Sequence, residues 1–270
     1  MLNERAKEMG IRLSARLAAL ADWVPEGARF ADIGTDHALL PVYLAASGKI
    51  AYAVAGDVHA GPAEAARRQV ADARLEEIVS VRQGDGLSVL SPGEADTVCI
   101  AGMGGSLIVR ILESAGDRLE GVRTLILSPH VAEDQVRRWL REHGYVLDAE
   151  RLLEEGGEIY TLLRAVKAPD EKEADERNGE LYDIQLPRGK GQDEGLKLPE
   201  PLAYEMGPLL VREGGELFRR KWTEEIGKRE QILARLRLSD SPETAEKARE
   251  WEAKTELLRE VLACLHAEKR

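Results

Sequence analysis

Asp32-Ile33-Gly34-Thr35-Asp36-His37 puts two carboxylates, one glycine and an imidazole into six consecutive residues. The string closes an apolar run, Arg29-Phe30-Ala31, that reads as a buried strand ending in a tight turn. A glycine there lets the backbone approach a ligand closely, and the carboxylates can hold an ammonium group. A dinucleotide fold would instead present Gly-x-Gly-x-x-Gly, which seats a pyrophosphate on a helix N-terminus. Only Gly34 of that pattern is present, and Asp32 and Asp36 would repel phosphates. The residues therefore disfavour nicotinamide. They favour a cationic adenosyl cofactor, S-adenosylmethionine, held through Asp32, Gly34, Thr35, Asp36 and His37.

Two further acids recur at the expected intervals. Asp57 closes a second strand, with Val58 next to it, where a carboxylate can accept hydrogen bonds from both ribose hydroxyls. Asp85 follows a third strand and is placed to receive the exocyclic amine of the cofactor's adenine, with Gly86 clearing space for the ring. Each acid alone would be at home in a turn or a helix cap. Three of them, at the ends of three successive strands, mark the edge of an open parallel sheet where ligands bind. Ala101-Gly102-Met103-Gly104-Gly105 follows a fourth strand. Its glycines let the backbone pass near a transferred methyl, so Ala101, Gly102, Met103 and Gly104 join the cofactor set, and Gly104 and Gly105 face the substrate. His130 ends a fifth strand across the same pocket.

Regular elements must position these residues. Strands are expected at 29–34, 51–58, 78–82, 96–101 and 123–127, with helices at 38–46, 62–75, 106–114 and 131–143 between or after them. A short amphipathic helix over 13–20 precedes the first strand. Tyr145 to Leu152 and Glu158 to Val166 read as antiparallel strands joined by Glu154-Glu155-Gly156-Gly157. The alternation predicts an α/β fold: a Rossmann-like, doubly wound, mostly parallel sheet with a terminal β-hairpin. From residue 168 to 200 the periodicity fades into an acidic insertion or linker. Beyond it, Phe218, Trp222, Ile226, Leu233 and Leu236 form one apolar stripe. Ala248, Trp251, Thr255, Leu258, Leu262 and Leu265 form a second. Ser239-Asp240-Ser241-Pro242 breaks the helix between them, which predicts a coiled-coil-like α-helical hairpin. The expected domains are 1–167, catalytic, 168–200, linker, and 201–270, helical.

Composition sets the boundaries. The chain has 270 residues, 43% hydrophobic and 32% charged, which suits a globular protein with a real core. No apolar run approaches the ~18 residues of a membrane span, and the charged first residues do not read as a signal peptide. Cys99 and Cys264 read as buried thiols of a reducing compartment, so the expected location is the cytoplasm. No His or Cys pair has metal-ligand spacing, and no metal is expected. Net charge is −11, a poor match to a polyanionic partner. The acidity is uneven: residues 1–166 hold 18 Lys/Arg against 25 Asp/Glu, residues 167–200 hold 6 against 10, and residues 201–270 hold 14 of each. The helical tail is therefore neutral and can carry a local cationic face.

Five strings together resemble the bacterial tRNA adenine(22)-N1-methyltransferases. They are Asp32 to His37 with Leu40-Pro41, Ala101 to Gly105, Glu158-Ile159-Tyr160, Gly207-Pro208-Leu209-Leu210 and Lys221-Trp222. The resemblance covers nearly the whole chain apart from 168–200. It implies a Rossmann-like methyltransferase domain, a C-terminal coiled-coil hairpin, S-adenosylmethionine as donor and a tRNA adenine as acceptor. Adenine N1 has an exposed lone pair, so orienting it in line with the methyl is the main task. Asp32, Asp36 or His130 could then accept a proton. For RNA, the best concentration of charge is Arg219, Arg220, Lys221, Lys228, Arg229, Arg235 and Arg237. Helical spacing puts Arg220, Lys228 and Arg235 on one face; the bland alternative is a solvated set of ion pairs with neighbouring glutamates. The expected partner is tRNA, with no membrane, acting as a monomer or weak homodimer. A methyltransferase for small molecules or proteins, and a non-catalytic cofactor-sensing RNA binder, remain open alternatives.

Overall fold

The structure, a computed structural model, describes residues 10–187, 195–237 and 241–267. The chain divides into two compact units, Met1–Asn178 and Gly179–Arg270. In the first, helix α1 (Ala15–Trp23) starts at Ser14, whose hydroxyl accepts from the Leu17 N–H. Strand β1 (Ala28–Ile33) leads to α2 (Leu39–Ala46), β2 (Ile50–Asp57) to α3 (Ala60–Asp72), and β3 (Val79–Gln83) to a 3-10 turn at Gly86–Val89. Then come β4 (Thr97–Met103), α4 (Gly105–Glu113), β5 (Thr124–Pro129) and α5 (Glu133–Glu142). The hairpin β6 (Tyr145–Glu155) and β7 (Glu158–Lys167) follows.

The seven strands order as β3-β2-β1-β4-β5-β7-β6. All neighbours from β3 through β5 are parallel, and β7 runs antiparallel to both β5 and β6. The strands are where the alternation predicts: β1, β2, β4 and β5 are largely buried Ala, Val, Ile and Leu runs, the pattern of central parallel strands, and β3 is a half-buried edge strand. The hairpin turns through Gly156 and Gly157, at φ of 62° and 86°, a two-residue loop whose twist matches the strands. Order reverses between β1 and β4, and ligands of such sheets bind beyond the strand ends at that reversal. Register aligns Asp32 with Ala55 and Cys99, so the ends of β1, β2 and β4 share one edge. The apolar core beneath that edge joins α1 and α2 to β1 and β2, with Leu162 of β7 closing it.

Where the composition predicts a linker, the chain is helical over α6 (Glu171–Tyr182). Glu, Lys, Ala and Arg are strong helix formers even without an apolar stripe. Asp170 caps the helix by accepting from the Glu173 N–H at 2.8 Å. Ala174 and Asn178 are buried, and the Asn178 amide donates to the Tyr145 carbonyl at 3.1 Å.

In the second unit, Arg212 of α8 (Pro208–Glu213) gathers the carbonyls of Glu180, Leu181 and Asp183 at the end of α6. A cation there suits the negative end of the helix dipole. Short strands β8 (Gln185–Leu186) and β9 (Leu196–Lys197) pair, and α7 (Glu200–Met206) precedes α8. Helices α9 (Glu216–Leu236) and α10 (Pro242–Ala267) form the expected hairpin. Arg219 binds the Leu265 carbonyl, Arg259 binds Glu230 and Arg237 binds Glu252, a ladder that only antiparallel helices can make. The α10 seam shifts by one residue from the expected spacing near its end: Val261 and Cys264 are buried together with Leu265, and Leu262 is only half-buried. Of the turn expected at 239–242, residues 239 and 240 lie outside the described residues.

Candidate functional site

A cavity of about 240 Å³ opens at the reversal point, lined by Asp32, Gly34, Thr35, Asp36 and His37 of the first loop and by Ala101 and Gly102 after β4. Arg16 and Leu17 of α1 and Leu39 and Leu40 of α2 complete the wall. Asp32 is 7% exposed and accepts from the Thr35 hydroxyl at 2.6 Å. Burial pushes its carboxyl from the ordinary 3.8 up to about 6; the Thr35 hydrogen bond opposes this, and the Asp57 carboxylate adds to it. Burial likewise pushes the Cys99 thiol well above its usual range. Asp36 and His37 sit 3.6 Å apart at the exposed rim.

The loop holds its shape by backbone bonds. The Gly34 and Thr35 N–H groups both donate to the Gly56 carbonyl, at 2.8 and 3.0 Å. Gly34 has φ of 77°, and a Cβ there would lie 2.2 Å from Met103 Cε. Met103 thus lies across Gly34, half-buried, and joins the two glycine-bearing loops.

Asp57, Val58, Asp85 and Gly86 lie outside this cavity, at the ends of β2 and β3. Asp57 accepts from the His59 N–H at 2.8 Å and the Asp36 N–H at 3.4 Å, so it also ties the first two loops together. Val58 is 49% exposed. Asp85 starts the 3-10 turn but makes no side-chain cap, and its exposed carboxylate has no hydrogen bond among the described residues. At Gly86, φ is 52° and a Cβ would point at Ile111 Cγ2, 3.0 Å away. That glycine serves the turn and its fit against α4.

The loops after β4 and β5 are joined by two bonds, His130 N–H to the Met103 carbonyl at 3.0 Å and Gly105 N–H to the Val131 carbonyl at 2.8 Å. A Cβ at Gly105 would come within 2.2 Å of the Ala132 carbonyl oxygen, so this buried glycine locks loop to loop. Gly104 differs: a Cβ there has 3.6 Å to Val131 Cγ2 and meets open space otherwise. His130 is exposed, with its ring edge-on to Tyr160 at 5.4 Å. Tyr160 lies in turn under the Arg16 guanidinium at 5.0 Å.

Of the lining residues outside the expected set, Arg16, Leu17, Leu39 and Leu40, Arg16 is the charged one. Its signal was position: it falls beside the Leu13, Leu17 and Leu20 stripe of α1, where a charge needs a reason. In the second unit, Arg220, Lys228 and Arg235 are all exposed on α9. Glu225 is taken by Arg229 and Glu230 by Arg259, and Lys228 and Arg235 make no ion pair among the described residues.

The donor set fits a cationic nucleoside with an amino-acid tail: a buried acid, a second acid one strand over, and a third, unpartnered, one strand further. A sheet of this order with acids at its switch-point edge defines the class as a methyltransferase domain, and the family described as Methyltransferase domain matches residues 13–163. The tRNA (adenine(22)-N(1))-methyltransferase of Bacillus subtilis (strain 168) is 38% identical over 253 residues, spanning 93% of this chain and 98% of that one. The crystal structure of the B. subtilis tRNA methyltransferase TrmK superposes with a TM-score of 0.81 at 37% identity, covering 93% of this chain and 99% of the other. A Streptococcus pneumoniae protein in complex with S-adenosyl-L-methionine gives 0.74 at 32% identity, over 93% of this chain and all of the other (100%). The chain belongs to the tRNA (adenine(22)-N(1))-methyltransferase family.

Among the described residues no helix is long and apolar enough to cross a membrane, and no group of three His, Cys, Asp or Glu could hold a metal ion.

Proposed function

We propose that the protein methylates N1 of an adenine in tRNA, position 22 by analogy with its B. subtilis relative, using S-adenosylmethionine. The observation that carries this reading is the run of acids, Asp32, Asp57 and Asp85, along one sheet edge beside a cavity lined by the first loop and by Ala101 and Gly102 after β4. Asp32 would hold the α-ammonium group, Asp57 the ribose hydroxyls and Asp85 the adenine amine, with Val58 against the ring. When bound, the cofactor supplies a methyl on positively charged sulfur, which the adenine N1 lone pair displaces in line, the bonding pair leaving on sulfur.

The chain's own task is then orientation. Gly102 and Gly104 leave the approach to the methyl open, and His130 with Tyr160 forms an aromatic flank for a base turned out of its stack. Asp32 is buried and engaged with the ammonium group, which leaves Asp36 and His130, both at the rim, to pass a proton from the cationic product to water. Arg220, Lys228 and Arg235 offer the phosphate-binding face that a protein of net −11 must concentrate somewhere. We assign the protein to the cytoplasm, where free buried thiols such as Cys99 and Cys264 stay reduced.

The test is nucleoside mass spectrometry of tRNA incubated with the protein and methyl-labelled cofactor. N1-methyladenosine is the expected product; label in another nucleoside, or none, refutes the reading. Arg220→Glu with Lys228→Glu should lower tRNA affinity and flatten its salt dependence without touching cofactor affinity. An unchanged tRNA titration would remove α9 from the RNA surface.

A further inference from the structure

Arg16 is held in place yet unsatisfied. Its side chain is 19% exposed, and both Nε and Nη1 are buried without a hydrogen-bond partner. The nearest carboxylate oxygen, Glu155 Oε2, is 4.0 Å from Nε, and Oε1 of the same group accepts the Arg16 backbone N–H at 3.0 Å. Buried guanidinium donors left unpaired cost free energy, so a built site with such donors is a site for an acceptor. The donors belong to a residue that lines the same cavity as Asp32, Thr35 and Asp36, and Arg16 is the one Lys or Arg among the lining residues. An amino-acid tail carries two charges. If Asp32 takes the ammonium end, the carboxylate end needs a cation in the same cavity, and a guanidinium matches a carboxylate in geometry as well as charge.

We propose that Arg16 receives the α-carboxylate of the cofactor's methionine tail, with Tyr160 as the positioning residue that fixes its guanidinium over the cavity. The inference rests on the cofactor reading above and deepens it: the cavity selects a zwitterion, and the first helix, not the sheet edge, supplies the cation.

Calorimetry with two ligands tests it. S-adenosylhomocysteine has the tail; 5′-methylthioadenosine keeps the nucleoside and sulfur but lacks the amino and carboxyl groups. Arg16→Gln should weaken S-adenosylhomocysteine roughly 10- to 100-fold, the range for a hydrogen bond between charged partners, and leave methylthioadenosine within about twofold. Arg16→Lys, which keeps the charge and loses the fork, should lose less. Tyr160→Leu should give a smaller loss, again confined to the tailed ligand. Equal losses for both ligands, or no loss for either, overturn the assignment to Arg16. Wild-type protein that binds neither ligand refutes the cofactor reading itself, and this inference with it.

Discussion

Asp32→Asn should make the protein more stable at neutral pH while weakening its hold on the cofactor. The carboxyl is 7% exposed at the end of β1, and burial raises it from 3.8 to about 6. The folded state therefore binds this proton more tightly than the unfolded chain does. The resulting stabilisation is fully present below pH 3.8, fades as pH rises through about 6, and is absent above that, where a bare charge is held in the core. Each pKa unit is about 1.4 kcal/mol, so the rise corresponds to about 3 kcal/mol at most, and local relaxation reduces that to about 1–3. An amide has no such charge, and its oxygen can still accept from the Thr35 hydroxyl, which now lies 2.6 Å from the carboxylate. The variant's advantage should be near zero at about pH 4 and grow to about 1–3 kcal/mol at about pH 7.5, read from urea unfolding of both proteins at each pH. In parallel, S-adenosylmethionine should bind the variant about 1.5–3 kcal/mol more weakly by calorimetry. Its affinity for the wild type should fall about tenfold per pH unit below about 6. A pH-independent stability difference, or a variant less stable than wild type at neutral pH, would refute the account of Asp32 as a buried, strained acid.

Perturbations at three other places separate structure from chemistry. Gly104→Val should leave the melting temperature close to wild type, because a Cβ there meets only Val131 Cγ2 at 3.6 Å, yet abolish methyl transfer by filling the acceptor's approach. Near-normal turnover would make that segment a plain turn. Gly105→Ala should instead destabilise by about 1–3 kcal/mol or more, since its Cβ would sit 2.2 Å from a backbone oxygen; thermal unfolding at the wild-type temperature would refute the loop lock. Arg137→Ala should cost about 3–5 kcal/mol by stranding Glu150, its partner at 2.7 Å with both side chains almost fully buried, whereas Arg137→Met with Glu150→Leu should recover most of the loss in urea unfolding.

Much of this protein is legible without coordinates, because its signals are local. Apolar runs of strand length alternating with helical stretches dictate a parallel sheet, and an acid at the end of each of the first three strands marks the edge at which we propose that the cationic cofactor binds. The glycine pair at 156–157 sets the hairpin, and the two apolar stripes after residue 216 set the helical pair. What tertiary structure decided are matters of neighbours distant in sequence. Glu171–Tyr182 reads as a linker because its own residues form no apolar stripe; Asn178 reaching the Tyr145 carbonyl ties its first part to a strand. Gly86 and Gly105 read as ligand-clearing glycines, and only the fold shows that Ile111 and the Ala132 carbonyl occupy the space a Cβ would fill. Arg16 falls within the short amphipathic helix with no signal of a role of its own, and only the fold brings Tyr160 of β7 beneath it and sets it in one cavity with Asp32. Periodicity reports which face of an element turns inward, but it carries no information about which distant side chain waits there, and the unpaired donors of Arg16 and the raised carboxyl of Asp32 both arise from that encounter.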